Sequence, residues 1–234
     1  MTCAALPSSG VDRLIAEAEN FGAWESTQEQ AWDNQGFNRR HVSLASAGLD
    51  VVQDVLLSLC APLAAVLFPS VASDGCGGAS LSFRRAAALC HAPPPLFHCH
   101  TLARYAYMLG YASKGAISSA EPSSLLSRVS LVPHTDDSEV TLNVSLGRSF
   151  EGGALRLRAL RCAAGEGVVQ ADITPRAGRA VLHLGQHLHE VTPVTAGERY
   201  ALIMWMRSRA YRAATCPCCM TFRRQRCICA ASWN

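Results

Sequence analysis

The chain has 234 residues, 49% of them hydrophobic and 17% charged, a balance that suits one packed domain with appendages and excludes a disordered chain. A formal charge of +3 is too small to imply a nucleic-acid partner by itself, and no basic stripe with interleaved aromatics is present. The eleven cysteines follow no regular framework; their odd count, with no secretory signal legible in Met1 to Gly10, sets the expectation of reduced thiols in a cytoplasmic or nuclear compartment.

Asp12 to Asn20 predicts a short helix with Leu14, Ile15 and Ala18 on one side. Asp50 to Leu67 predicts a longer amphipathic helix whose apolar stripe is Val52, Leu56, Leu59, Leu63 and Val66. Asp50 and Asp54 suit the positive end of its dipole, and Pro69 closes it. The longest apolar run, Val55 to Phe68, contains Pro62 and falls short of the roughly 20 residues a membrane span needs, so no span is expected. Ser70 to His98 has a loop's composition, with Gly75, Gly77, Gly78 and three consecutive prolines from Pro93. Leu102 to Tyr107 reads as a strand, and the small, polar Leu109 to Ser127 as an insertion.

The texture changes from Leu131. Val140 to Leu146 alternates strictly, with Val140, Leu142, Val144 and Leu146 on one face and Thr141, Asn143 and Ser145 on the other. Gly152-Gly153 turns the chain into a strand over Ala154 to Leu160. Arg179 to Leu184 and Tyr200 to Met206 are two more, separated by the turn-rich Thr192 to Gly197. Short strands bounded by Gly and Pro, with no helix between them, predict an antiparallel barrel or jelly roll. The chain divides into a helical support region at 1–70, a loop-rich region with the Tyr105 strand at 71–130, a core at 131–210 and a Cys/Arg-rich tail at 211–234.

His134-Thr135-Asp136 is the first constellation that carries chemistry. On an extended chain, residues two apart point the same way, so imidazole and carboxylate can converge on one ion. A third ligand has to come from elsewhere, and His183, His187 and His189 are the candidates. Two His and one carboxylate form the facial triad of non-haem iron sites, which leaves positions open for cosubstrate and dioxygen. Arg199 opens an apolar strand ten residues after His189. A guanidinium buried there needs an anion, either a neighbouring acid such as Glu198 or a small dicarboxylate. The C-terminal spacings, Cys216-x-Cys218-Cys219 and Cys227-x-Cys229, fit the paired C-x2-C pattern of a zinc site poorly and read as reduced thiols in a basic tail.

The His134-x-Asp136 segment, the segment from His189 to Trp205 and Phe150-Glu-Gly-Gly-Ala-Leu-Arg156 together resemble the prolyl and lysyl hydroxylase branch of the Fe(II)/2-oxoglutarate-dependent dioxygenases. Within it the chain is most similar to small 2-oxoglutarate and iron-dependent oxygenase domain-containing proteins, with good coverage from about Leu131 to Cys219. The resemblance implies a mainly β double-stranded β-helix (jelly roll) with flanking helices. It also implies a metal held by His134, Asp136 and His189, and Fe(II), 2-oxoglutarate and L-ascorbate as cofactors. Arg199 matches the position that holds the distal carboxylate of 2-oxoglutarate, and Tyr105 resembles the Tyr whose hydroxyl assists it. Asn143 and Ser145 lie on the face that would line the pocket, and Trp205 matches an aromatic near the metal. The implied partners are 2-oxoglutarate, O2 and a protein or peptide substrate, with peptidyl proline or lysine the first expectation. One departure stands out: more than twenty residues separate Tyr105 from His134, where relatives have almost none. A non-catalytic barrel serving as scaffold or binding module is therefore the alternative, and a zinc-bound structural protein a lesser one.

Overall fold

The alternation of Val140 to Leu146 decides the architecture, because it gives one strand an apolar face and a polar face that are both covered. The computed structural model describes residues 2–21, 41–72, 102–119, 126–147, 149–160, 167–208, 211 and 215. The chain begins with β1 (Thr2–Ala4), α1 (Ser8–Phe21), β2 (Val42–Ser43), α2 (Asp50–Leu67) and the single turn α3 (Pro69–Ala72). Then come β3 (Leu102–Ala112), α4 (Lys114–Ser119), β4 (Leu126–Arg128), β5 (Leu131–His134), β6 (Val140–Ser145), β7 (Phe150–Gly152) and β8 (Leu155–Leu160). β9 (Val169–Ile173), β10 (Arg179–Leu184), β11 (His187–Val191) and β12 (Val194–Ser208) complete it.

These strands form two sheets. The larger runs β1-β10-β6-β12-β3-β2, with β4 paired to β3 and β7 to β12, and the smaller runs β5-β11-β8-β9. Every pairing is antiparallel except β3 with β4. The result is the mainly β double-stranded β-helix, with helices outside it, that the sequence predicts. β12 organises the larger sheet, pairing with β3 along Glu198 to Ser208 and with β6 along Ala201 to Met206.

Val140, Leu142, Val144 and Leu146 join Leu182, Leu202, Met204 and Met206 in the main core. Against that face pack Val11, Leu14, Ile15 and Ala18 of α1, spaced as a helical stripe should be. The opposite face carries Thr141, Asn143 and Ser145, also buried, toward a smaller cluster built from Leu109, Tyr111, Val191, Val194, Ala201 and Ile203. On the smaller sheet, Arg156 meets Asp172 at 2.7 Å and Arg158 meets Glu190 at 2.5 Å in partly exposed cross-strand pairs, which add little stability.

Several expectations need correction. α2 has the predicted bounds, but its buried side is Gln53, Leu56, Leu57, Cys60 and Ala64. Val51, Leu59 and Val66 stand 74%, 56% and 74% exposed. The helix is apolar nearly all round, so two stripes compete, and the narrower Cys60 and Ala64 let it approach the sheet. By length and composition α2 is also apolar enough to cross a bilayer, although core helices pass the same test and its inner side is packed into this core.

The strand expected to end at Tyr107 continues to Ala112, and α4 and β4 occupy part of the supposed insertion. Gly110 and the small residues around it read as loop signals; pairing along the apolar β12 overrides them. The turn-rich 192–197 stretch is likewise absorbed, with a register shift between Val194 and Ala196 and a positive φ at Gly197. Strands β9 and β11 were not legible in the sequence. The 73–98 part of the expected loop and the Cys216 to Cys229 cluster lie outside the described residues.

Candidate metal centre

His134 ends β5 and His189 lies in β11, and the antiparallel register sets them directly opposite each other. Their rings stand 4.2 Å apart between centroids. Asp136 follows two residues after His134, and its N–H donates to Gly185 O at 2.9 Å. Its Oδ1 is 3.6 Å from His134 Nε2, and its Oδ2 3.6 Å from His189 Nε2. One ligand atom from each of the three lies within 4.8 Å of the others, close enough to share an ion whose bonds are about 2.1 Å long.

The tautomers follow from the backbone. His134 Nδ1 lies 2.9 Å from Val132 O, and His189 Nδ1 2.8 Å from His187 O. A carbonyl only accepts, so each Nδ1 carries the hydrogen and each lone pair sits on Nε2, the arrangement usual in metal-ligating histidines. Burial, helped by His189, pushes His134 down to about 4, so it is neutral at pH 7. Burial alone would raise Asp136; its neighbours His189, His134 and His183, with a hydrogen bond from Thr141, outweigh that and hold it below the usual carboxylate range. Two imidazoles and one carboxylate are the donor set that suits Fe(II) with open positions.

The other histidines fall outside this set. His183 is buried beside His189 at 4.8 Å between ring centroids, and burial pushes it down to about 3. His187 directs Nδ1 at Arg158 O, 3.0 Å away.

Arg199 is 1% exposed, and its Nε and Nη1 have no hydrogen-bond partner. The Tyr111 ring lies 4.9 Å from the guanidinium carbon and directly across the ladder. Burial lowers the Arg199 pKa, an effect that Tyr111 opposes by charge and hydrogen bond. Gly153, at φ 63°, passes so near that an added Cβ would sit 2.9 Å from Arg199 Cδ. Arg199, Asn143 and Ser145 line a cavity of about 310 Å³ that reaches Ile173, Arg176 and Arg179. The triad is not among its lining residues. On β6, however, Thr141 at the metal end and Ser145 at the arginine end are four residues apart on one face, about 13 Å.

Tyr105 sits elsewhere on the β3–β12 ladder than Arg199. Its backbone pairs with Trp205, whereas Arg199 pairs with Tyr111, six residues further along β3 and about 20 Å away. Tyr111 is the tyrosine that stands directly across from Arg199. It was hidden in the stretch read as insertion, and only the β3–β12 register distinguishes the two. Trp205 lies across from Thr141 at the metal end and packs edge-on against Tyr107.

Residues 126–207 match the family model described as 2OG-Fe(II) oxygenase superfamily. The 2-oxoglutarate and iron-dependent oxygenase domain-containing protein 2 of Xenopus tropicalis is 41% identical over 86 residues, 37% of this chain and 25% of the relative. The Arabidopsis thaliana 2-oxoglutarate and iron-dependent oxygenase domain-containing protein ICU11 is 29% identical over 211 residues, 86% of this chain and 43% of the relative. The chain thus spans between a quarter and less than half of these relatives' length. Among solved structures, a Pseudomonas putida prolyl-4-hydroxylase matches 89% of this chain and 92% of its own, with a TM-score of 0.51 at 18% identity. A Trichoplax adhaerens prolyl hydroxylase, in complex with a hypoxia inducible factor peptide fragment, covers 91% of this chain and 86% of its own, with a TM-score of 0.52 at 18% identity. At such identities the likeness is one of fold. The stretch that matches the superfamily model, Leu126 to Arg207, is the one that holds the triad and Arg199.

Proposed function

We propose that the chain is an iron(II)- and 2-oxoglutarate-dependent dioxygenase that hydroxylates a C–H bond of a protein or peptide side chain, proline or lysine first. The observation that supports it is a pairing. Two imidazoles and a carboxylate converge at one end of the inner face, and a buried arginine with two unsatisfied donor nitrogens, Nε and Nη1, stands near the other. A buried guanidinium with no carboxylate partner among the described residues is costly, and a bound dicarboxylate would satisfy it.

In this reading His134, Asp136 and His189 hold Fe(II), which supplies the activation of dioxygen. Arg199 accepts the distal carboxylate, and Tyr111 flattens the guanidinium against its ring and lends a hydroxyl. Asn143 and Ser145 line the path between. The enclosing sheets exclude water, and the backbone carbonyls of Val132 and His187 keep both imidazoles in the ligating tautomer. Substrate, 2-oxoglutarate and O2 give hydroxylated substrate, succinate and CO2. Ascorbate as a reductant and a cytoplasmic or nuclear location belong to the same proposal, the latter on the reduced-thiol reading of the cysteines.

Anaerobic calorimetric titration of the Fe(II)-loaded protein with 2-oxoglutarate tests the reading. Binding that Arg199→Gln weakens at least tenfold is expected, a loss of about 1.4 kcal/mol or more. Wild-type protein that binds no 2-oxoglutarate at millimolar concentration would overturn the reading.

A further inference from the structure

Asp136 is the one carboxylate of the triad, and its two oxygens are held differently. Thr141 Oγ1 donates to Asp136 Oδ2 over 2.6 Å, and Ser138 Oγ lies 2.7 Å from Thr141 Oγ1. A hydroxyl carries a single hydrogen. With that of Thr141 committed to Asp136, Ser138 has to be the donor to Thr141. The chain Ser138 to Thr141 to Asp136 Oδ2 is therefore polarised in one direction, and Ser138 and Thr141 are buried to 0% and 1% exposure. Charge-assisted bonds of this kind are the strong ones, and a donor behind a donor strengthens them further.

The backbone has been shaped around this chain. Gly185 N–H donates to Glu139 O at 3.2 Å while Gly185 O accepts from Asp136 N. A Cβ on Gly185 would stand 2.0 Å from Ser138 O and 2.5 Å from Ser138 Oγ. The alternation of β6 sends Thr141 inward at the level of His183 on one neighbour and Trp205 on the other. Thr141 is thus fixed by the larger sheet, whereas His134 and His189 belong to the smaller one. The hydroxyl ties the carboxylate to the sheet that does not supply the imidazoles.

We propose that Thr141, backed by Ser138, is a positioning residue that holds Asp136 as a one-oxygen metal ligand. The inference rests on the reading of the triad as a metal site. A hydroxyl proton on Oδ2 withdraws that oxygen's electron density and leaves Oδ1, on the His134 side, as the better donor. The protein then contributes three ligand atoms, and the remaining positions stay open for a two-point cosubstrate and dioxygen. Without the hydroxyl, Oδ2 becomes a buried acceptor with no donor, and the carboxylate can turn.

The test is an anaerobic titration with Co(II), a redox-stable divalent ion, followed by visible absorption. It compares wild type, Thr141→Val, Thr141→Ser, Ser138→Ala and His189→Ala, with the thermal midpoint of each metal-free protein. Thr141→Val, which keeps the shape and loses the hydroxyl, should weaken Co(II) by about 10- to 100-fold, the usual effect of removing a partner of a metal ligand. Thr141→Ser should restore wild-type affinity, and Ser138→Ala should show a smaller loss in the same direction. Wild-type affinity in Thr141→Val overturns the proposal, as does a Thr141→Ser protein that binds as weakly as Thr141→Val. If Thr141→Val does not fold, unchanged affinity in Ser138→Ala overturns it instead. A wild type that binds no Co(II), or that His189→Ala matches, refutes the metal-site reading itself and this inference with it.

Discussion

Arg199 shows how one side chain ties stability to function. Its guanidinium is buried with two donor nitrogens, Nε and Nη1, unsatisfied, so the ligand-free protein carries a cost that the cosubstrate would relieve. Arg199→Met keeps the apolar stem against Tyr111 and removes the charge. The ligand-free thermal midpoint of that variant should be no lower than wild type, although 2-oxoglutarate binding is lost. Differential scanning fluorimetry with saturating ligand reads both effects. At a hundred times Kd, ligand should stabilise wild type by about 2.7 kcal/mol and leave the variant unmoved. A ligand-free midpoint several degrees below wild type would show that the arginine is structural.

Gly185 makes a second residue-scale case. An added methyl meets Ser138 within van der Waals radii on both oxygens, and the two connecting segments are hydrogen-bonded to each other through Asp136, Glu139 and Gly185, so neither can retreat cheaply. Gly185→Ala should cost about 1–3 kcal/mol by urea denaturation and weaken metal binding as well.

Much of the site was legible in the sequence, because its parts are local. His134-Thr135-Asp136 needs only extended backbone to converge, and His189 keeps a fixed distance to Arg199 along one chain segment. Tyr111 was not legible. Choosing it over Tyr105 depends on the β3–β12 register, a non-local quantity that composition does not carry. Thr141 was visible as a polar inward position, but its hydrogen bond to Asp136 appears only once the two lie in one folded turn.

At the scale of elements, the strongly alternating strands were readable and the rest depended on tertiary partners. β6 matches its predicted span closely because apolar and polar positions alternate without interruption, and β10 because a short apolar run, Ala180 to Leu182, lies between Arg179 and His183. β9 alternates Val169, Ala171 and Ile173 with Gln170 and Asp172, but the run is only five residues long and mostly exposed. α2 was correct in extent and wrong in rotation, since a helix apolar on every side gives no unique stripe. That correction is measurable. Leu57→Ala should cost about 2–5 kcal/mol, and Leu59→Ala should lie within about 0.5 kcal/mol of wild type. Equal effects in denaturant titrations would contradict the helix orientation.

Across the whole molecule, the two faces of the larger sheet divide the labour. The outer face and the helices build a wholly apolar core, which supplies most of the burial that stabilises the fold. The inner face can then hold polar groups that an economical core would exclude, namely Thr141, Asn143, Ser145, His183 and Arg199. β12 joins the two roles along one strand, with Leu202, Met204 and Met206 in the apolar core and Arg199 and Ile203 on the inner side. Departures from a simple hydrophobic interior thus gather where chemistry is proposed, as expected of functional sites.

The most direct test of the central claim is succinate formation by anaerobically reconstituted protein exposed to air with Fe(II), 2-oxoglutarate and ascorbate, comparing wild type with His189→Ala. The account predicts succinate from the wild type, with or without a prime substrate peptide, and its loss in the variant. Succinate formed equally by both proteins would contradict the assignment of His189 to the metal. No turnover together with no 2-oxoglutarate binding would contradict the oxygenase reading and leave a non-catalytic barrel.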